Sequence, residues 1–194
     1  MPDKKDKTRE HILQTSYPLF AEKGFKQVTM KDICQVSGMS RGGLYSHFSS
    51  TAQIFEEILK QITSSTALDF QSQIAEGISA SDILNKAFKT LEKEMLSPSD
   101  SLSLAIFEYS QIVNSKLIQK LNKEAEEKWS SLFKYGIKTG DFFPSVNITA
   151  LVNTLLYAYQ GIRLWQNITP LKSKTVKSIL KNIEKQLTGD KKND

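Results

Sequence analysis

Between Thr29 and Phe48 the chain carries two helical patterns, each too short to stand alone, on either side of a glycine. An isolated helix below roughly 12–15 residues is marginal in water, so short neighbouring helices persist only by packing on one another. Thr29 is suited to cap a helix running to about Ser37, and Ser40 to cap another running to about Phe48. Gly38 between them can take the positive φ that a tight turn needs, and Met39 can plug the space beneath it. Ile33 faces the neighbouring helix, while Cys34 and Ser37 are small enough to let the two backbones approach. Leu44 and Phe48, four residues apart, form the inner face of the second helix of the pair. Spacing alone therefore predicts a helix-turn-helix.

The same spacing turns Arg41, Gly42, Gly43, Tyr45 and Ser46 outward. A helix fits the major groove of DNA, and its N-terminal residues reach the base edges first. Arg41 can form a paired hydrogen bond to guanine. Each glycine lowers helix stability by about 1 kcal/mol relative to alanine. Gly42 and Gly43 in a continuing helical pattern thus point to a backbone that comes close to a partner; a loop is the competing reading, and the Leu44–Phe48 spacing argues against it. Tyr45, His47 and Thr51 can donate to phosphates here, as can Thr29 and Lys31 at the start of the preceding helix. Lys4, Lys5, Lys7 and Arg9 fit either an arm on the DNA backbone or minor groove, or a solvated start of the chain.

Nine glycines and five prolines in 194 residues leave long stretches unbroken, which favours helices over a turn-rich β architecture. A first helix over 7–23 carries Ile12, Leu13, Leu19 and Phe20, stops at Gly24 and is expected to kink at Pro18. A fourth starts near Ser50 with Ile54, Phe55, Ile58, Leu59 and Ile62 at helical spacing. Further helices are predicted over 81–96, 101–114, 116–139, 147–166 and 173–188, punctuated by Gly77, Pro98, Gly140, Pro144 and Pro170. The expected fold is all-α with about nine helices. It divides into a three-helix helix-turn-helix domain over 1–50 and a larger helical domain over 51–194.

Charge follows a similar division. Residues 1–50 carry eight Lys/Arg against five Asp/Glu, 51–171 eleven against thirteen, and 172–194 seven against three, within a net charge of +5. Basic ends on a near-neutral body suit contact with phosphate, and a solvated lysine surface is the even alternative. Cys34 is the only cysteine, which rules out an intrachain disulfide or a cysteine-based zinc site. It reads as a small buried hydrophobe, with a redox-sensing thiol the lesser alternative. Two histidines make no metal cluster, so neither metal nor cofactor is expected. No phosphate-cradling glycine loop, nucleophile elbow or carboxylate–histidine cluster is present, and nothing asks for catalysis. No run of about 18 apolar residues predicts a membrane span. The charged stretch from Met1 to Arg9 lacks the make-up of a signal peptide, so Asn147-Ile-Thr149 and Asn167-Ile-Thr169 are read as chance glycosylation matches. A cytoplasmic, nucleoid-associated protein is expected.

The pattern Phe20…Gly24-Phe25…Thr29…Asp32-Ile33…Ser37-Gly38-Met39-Ser40…Gly43-Leu44-Tyr45-Ser46-His47-Phe48 resembles the DNA-binding domain of the tetracycline-repressor (TetR) family of bacterial regulators. The resemblance covers about residues 9–56, and Ser40-Arg-Gly-Gly43 with Phe48-Ser-Ser-Thr51 resembles a YfiR-like subset of that family. It implies base contacts from Arg41, Gly42 and Gly43 beside the capping Ser40, and phosphate contacts from Thr29, Met30, Lys31, Tyr45 and His47. Three features depart from the family pattern. Thr51 stands where a lysine to phosphate is usual, Cys34 and Ser37 replace common alanines, and Pro18 is atypical in the first helix.

For residues 51–194 the resemblance implies a domain that binds a small-molecule effector and forms a homodimer, releasing a palindromic operator when the effector arrives. Segment 147–166 carries a stripe including Ile148, Leu151, Leu155 and Tyr159, and segment 173–188 one including Val176, Ile179, Leu180 and Ile183. Each stripe can be ordinary core or, as we favour, a face shared with a second copy in a four-helix bundle. Phe88, Met95, Phe107, Trp129, Phe133 and Tyr157 are candidates to line an apolar effector pocket, although each alone fits a core position better. Glu108 and Arg163, set in apolar patterns, fit a buried pair or ligand anchors. An enzyme and a ligand-independent architectural DNA binder are the competing classes. The second predicts little site preference and no response to metabolites.

Overall fold

A computed structural model describes residues 4–63, 69–97, 101–113, 116–166 and 168–189. Pro98 and Asn167 lie outside them. The described residues form ten helices and no strand: α1 (Lys4–Lys23), α2 (Met30–Ser37), α3 (Arg41–Tyr45), α4 (Thr51–Thr63), α5 (Phe70–Ala75), α6 (Ala80–Met95), α7 (Ser103–Ile112), α8 (Lys116–Thr139), α9 (Ile148–Trp165) and α10 (Ser173–Thr188). The additional one, α5, is a six-residue helix with only Phe70 and Ile74 as apolar anchors, too few to show a period in sequence. Asp69 caps it by accepting the Ser72 N–H.

The chain packs as two compact units. One comprises Met1–Ser64 and Ser99–Leu121, the other Ser65–Pro98 and Asn122–Asp194. Packing therefore does not divide the chain at residue 50. Phe20 and Phe25 lie 4.9 Å and 5.3 Å from Phe55 of α4, and Phe25 meets the ring of Tyr109 of α7 edge-on at 5.1 Å. A three-helix head of fifty residues exposes too much of its own apolar surface. Here Ile54, Phe55, Ile58 and Leu59 of α4, with Leu102, Ala105 and Tyr109 from further along the chain, complete its core. Ile62, expected on that apolar face, is exposed.

Two residues of α7 fasten this first unit. Tyr109 is buried and donates its phenol proton to Glu56 at 2.6 Å; burial first, then that hydrogen bond, pushes its pKa upward. Glu108 accepts the Lys26 N–H at 2.9 Å. Its carboxylate sits where a side chain at Gly24 would be, and Gly24 has φ +75°. Conformation and space thus both require glycine at the end of α1. The first helix starts at Lys4, earlier than predicted, and continues through Pro18.

The second unit closes around Phe70, Phe88, Trp129, Phe133 and Phe142, with Leu151, Val152 and Leu155 of α9 and Val176, Leu180 and Ile183 of α10. The Asn147 side chain caps α9 by accepting the Ala150 N–H at 3.0 Å, which gives that asparagine a structural use. Buried Gln166 donates to the Met95 carbonyl and accepts the Leu171 N–H, tying the end of α9 to α6 and to the approach to α10.

Candidate nucleic-acid interface

Each end of the helix pair is set by local chemistry. Thr29 and Asp32 form a reciprocal capping box: Thr29 Oγ1 accepts the Asp32 N–H at 3.2 Å, and Asp32 Oδ2 accepts the Thr29 N–H at 2.9 Å and its hydroxyl proton at 2.5 Å. Those bonds, the hydroxyl first, hold the Asp32 carboxyl below its ordinary value, and Lys23 adds to the effect. Gly38 ends α2 with φ +67°, as its place in the turn predicts. Ser37 is buried and turns its hydroxyl back to the Ile33 carbonyl at 2.6 Å, which lets a polar residue occupy the crossing point. Cys34 and Met39 are half-buried against the same core.

Ser40 caps α3 by accepting the Gly43 N–H at 3.1 Å. The helix is shorter than predicted and ends at Tyr45. The N–H groups of His47 and Phe48 both turn back to the Leu44 carbonyl, which brings Phe48 under the helix beside Leu44. Phe48 thus keeps its inner place through a turn.

The predicted contact residues are all at least partly accessible. Thr29, Lys31, Ser40, Arg41, Gly42 and Tyr45 are exposed, and Met30, Gly43 and His47 are half-exposed. Arg41 lies with its guanidinium 5.7 Å from the Tyr45 ring centroid, at the start of α3. The two glycines differ. A Cβ at Gly43 would stand 3.2 Å from Ser40 Oγ and 3.3 Å from Met39 Cε, tight contacts that small shifts of two side chains would have to relieve. A Cβ at Gly42 would meet nothing within 4 Å beyond its own helical turn, and its φ is not positive. Among the described residues nothing requires glycine there.

Other donors are placed differently from the sequence expectation. The Thr29 hydroxyl and N–H are both committed to Asp32, so they are not free to reach a phosphate. Met30 and Lys31 occupy the first turn of α2, where N–H groups lack intrahelical acceptors, and these offer the donors in its place. In His47 the buried Nδ1 has no partner, which leaves Nε2 as the nitrogen able to serve a partner outside. Arg9 is not part of an arm: it lies in α1, folded against His47, Phe48 and Glu57.

In the second unit the residues proposed from sequence separate. Phe88, Met95, Trp129 and Phe133 are buried together, with Trp129 5.9 Å from Phe133 and 6.2 Å from Phe88. Phe107 and Tyr157 do not join them: Phe107 belongs to the first unit, and both are exposed. Two surface grooves are lined mainly by charged and polar residues, whose apolar stems form much of the walls. One of about 360 Å³ lies between α8 and α9 beside Lys123, Glu126, Ser130 and Asn153, and one of about 400 Å³ between Gln71 and α8. Leu151, Leu155 and Ile183 are buried within the single chain, while Ile148, Tyr159 and Ile179 are half-buried against that core. Three of these six residues read as a shared face are therefore core, and the other three remain partly open. The outward side of α9 and the residues after it carry Tyr157, Trp165 and Ile168, at 72, 55 and 66% exposure. Glu108 and Arg163 find partners within their own units, Arg163 donating to the Tyr159 hydroxyl at 2.5 Å and Tyr159 to Glu94 at 2.5 Å.

Among the described residues no group of three or more His, Cys, Asp or Glu side chains could hold a metal, and no helix is long and apolar enough to cross a membrane. An all-helical chain whose first unit presents a capped helix-turn-helix is a DNA-binding regulator by architecture. Residues 12–58 match the family described as bacterial regulatory proteins, tetR family. The HTH-type transcriptional regulator YfiR of Bacillus subtilis is 32% identical over 167 residues, which span 81% of this chain and 79% of that one. The HTH-type transcriptional repressor KstR2 of Rhodococcus jostii is 28% identical over 145 residues, 72% of this chain and 70% of that one. The chain belongs to the TetR family of transcriptional regulators. In fold it is similar to a TetR-family regulator from Cytophaga hutchinsonii, with TM-score 0.76 at 15% identity over 98% of this chain and all of that one. KstR2 of Mycobacterium tuberculosis shares the fold at TM-score 0.67 and 19% identity, over 94 and 95% of the two chains. The relatives are regulators rather than enzymes, in line with the lack of a catalytic motif.

Proposed function

We propose that this chain is an effector-responsive repressor that binds a palindromic operator as a homodimer in the cytoplasm, at the nucleoid. The observation that carries the reading is Gly42 beside the exposed Arg41: a helical glycine costs about 1 kcal/mol, and no contact among the described residues accounts for it. A base edge or a thymine methyl approaching α3 accounts for it. Arg41 reads a base beside it, Gly43 and Ser40 line the approach, and Lys31, Met30, Tyr45 and His47 hold phosphates. Repression is supported by the relatives named repressors.

A second copy is expected on the outward side of α9, where Tyr157 and Trp165 lie two helical turns apart with Thr154 and Gly161 exposed along the same side. Such large exposed side chains on one face mark an interaction surface. The effector enters the second unit among Phe88, Met95, Trp129 and Phe133. Because these side chains are packed, an effector there would select a different arrangement of them, which is what a two-state response needs.

The test is recovery of fragmented host DNA on the purified protein at moderate salt, followed by sequencing. A palindromic site recovered at least about 10³-fold over bulk DNA supports the regulator. Diffuse recovery would overturn it in favour of an architectural DNA binder.

A further inference from the structure

α3 has five residues, and its exit is held by one side chain from the other end of the head. Arg9 Nη1 donates to the His47 carbonyl at 2.6 Å. Its Nη2 pairs with Glu57 of α4, and its guanidinium carbon stands 4.1 Å from the centroid of the Phe48 ring. We infer that Arg9 is a positioning residue for DNA recognition, locking the exit of α3 to α1 and α4 so that Arg41, Tyr45 and His47 reach the duplex in one register. This rests on the reading of α3 as the DNA-contacting element.

The chemistry favours arginine over any other cation. The His47 carbonyl lies in the turn that follows α3, and the Arg9 guanidinium supplies it with a charged donor. The guanidinium is planar, which lets one group donate along two directions and lie on an aromatic face at once. A lysine ammonium keeps the charge but has neither the fork nor the flat face. Arg9 is half-buried, as is Glu57, so their pairing is screened less than a surface pair. The side chain is also too occupied to serve as a phosphate contact. Its effect on DNA passes through the His47 carbonyl and Phe48.

The experiment compares wild type, Arg9→Lys and Glu57→Gln for operator affinity, for affinity to random duplex and for thermal unfolding. Hydrogen bonds to charged groups are each worth about tenfold or more in an equilibrium constant. Arg9→Lys is expected to lose about tenfold or more at the operator while random duplex binds nearly as before, with a loss exceeding anything the unfolded fraction explains. Glu57→Gln, which removes the ionic anchor but leaves the carbonyl bond, is expected to lose less. Combining the two should add little to Arg9→Lys alone, because both act through one guanidinium. Wild-type operator preference fully retained by Arg9→Lys would overturn this inference alone. Equal losses on operator and random duplex would also overturn it, by making Arg9 a direct phosphate contact. A wild type without operator preference would overturn the DNA reading and this inference with it.

Discussion

The two units present opposite kinds of surface. Around α3 the head exposes Arg41 and Lys31 beside Gly42 and Tyr45, a surface that carries charge. The outward side of α9 exposes Tyr157 and Trp165, large apolar groups. A surface made for phosphates and base edges needs charge and close backbone approach, whereas one made for a second protein copy needs apolar area to remove from water. Both units also bury side chains that sequence periodicity cannot tell from contact residues. In the second unit this moved Leu151, Leu155 and Ile183 from a shared face to the core.

The largest effect that could break the comparison comes from Leu155, which is completely buried. Leu155→Glu places an unpaired charge in the core and is expected to cost on the order of 3–5 kcal/mol, abolishing cooperative unfolding. Trp165→Glu should instead give folded monomers by sedimentation with unchanged helical circular dichroism. A folded, monomeric Leu155→Glu protein would return the shared face to the inner stripe.

On the head, Arg41→Ala is expected to lose roughly 1–3 kcal/mol at one base position per half-site, read by titration against operators mutated one base pair at a time. Loss spread evenly over all sequences would reduce Arg41 to a phosphate contact. Gly42→Ala sharpens the contrast through opposite signs. Melting should rise, by at most about 1 kcal/mol of stability, because alanine suits a helix and has room here, while operator affinity should fall. If both rise together, Gly42 is not reserved for DNA.

The smallest effect is the pH dependence of the α2 cap. The Asp32 carboxyl is held below its ordinary 3.8 by the Thr29 hydroxyl and N–H. A depressed acid contributes stability that is fully present above its unfolded value and is lost as pH falls through its lower folded value. The Thr29 and Asp32 amide resonances should therefore titrate below 3.8, and in Asp32→Asn that titration should vanish. Resonances moving at or above the ordinary value would show that the capping box is not formed in solution.

The helix pair was legible because its signals are local. Thr29, Ser40 and Gly38 cap and turn through atoms within a few residues, and the structure places each as its chemistry requires. Helix ends were read less well for the same reason. Whether Phe48 ends a helix or a turn depends on how Leu44 meets the core, and α5 has too few apolar residues to declare itself. The exposure of the candidate contact residues was legible, and their bonding was not. No pattern in sequence says that Thr29 has given its proton to Asp32, or that Arg9 belongs to His47 and Glu57.

By itself the sequence determined an all-helical chain, a helix-turn-helix near its start, and which side chains that pair leaves exposed. These follow from periodicity, caps and glycine, which act over one or two turns. Only the tertiary structure decided that the head recruits α4 and α7 to complete its core, that Leu155 faces inward while Tyr157 faces out, and that a Cβ at Gly42 would meet none of the described residues beyond its own helical turn. The physical reason is that a helix offers several apolar sides to its neighbours. Which side is buried depends on partners distant in the chain, whose encounter leaves no periodic trace along it.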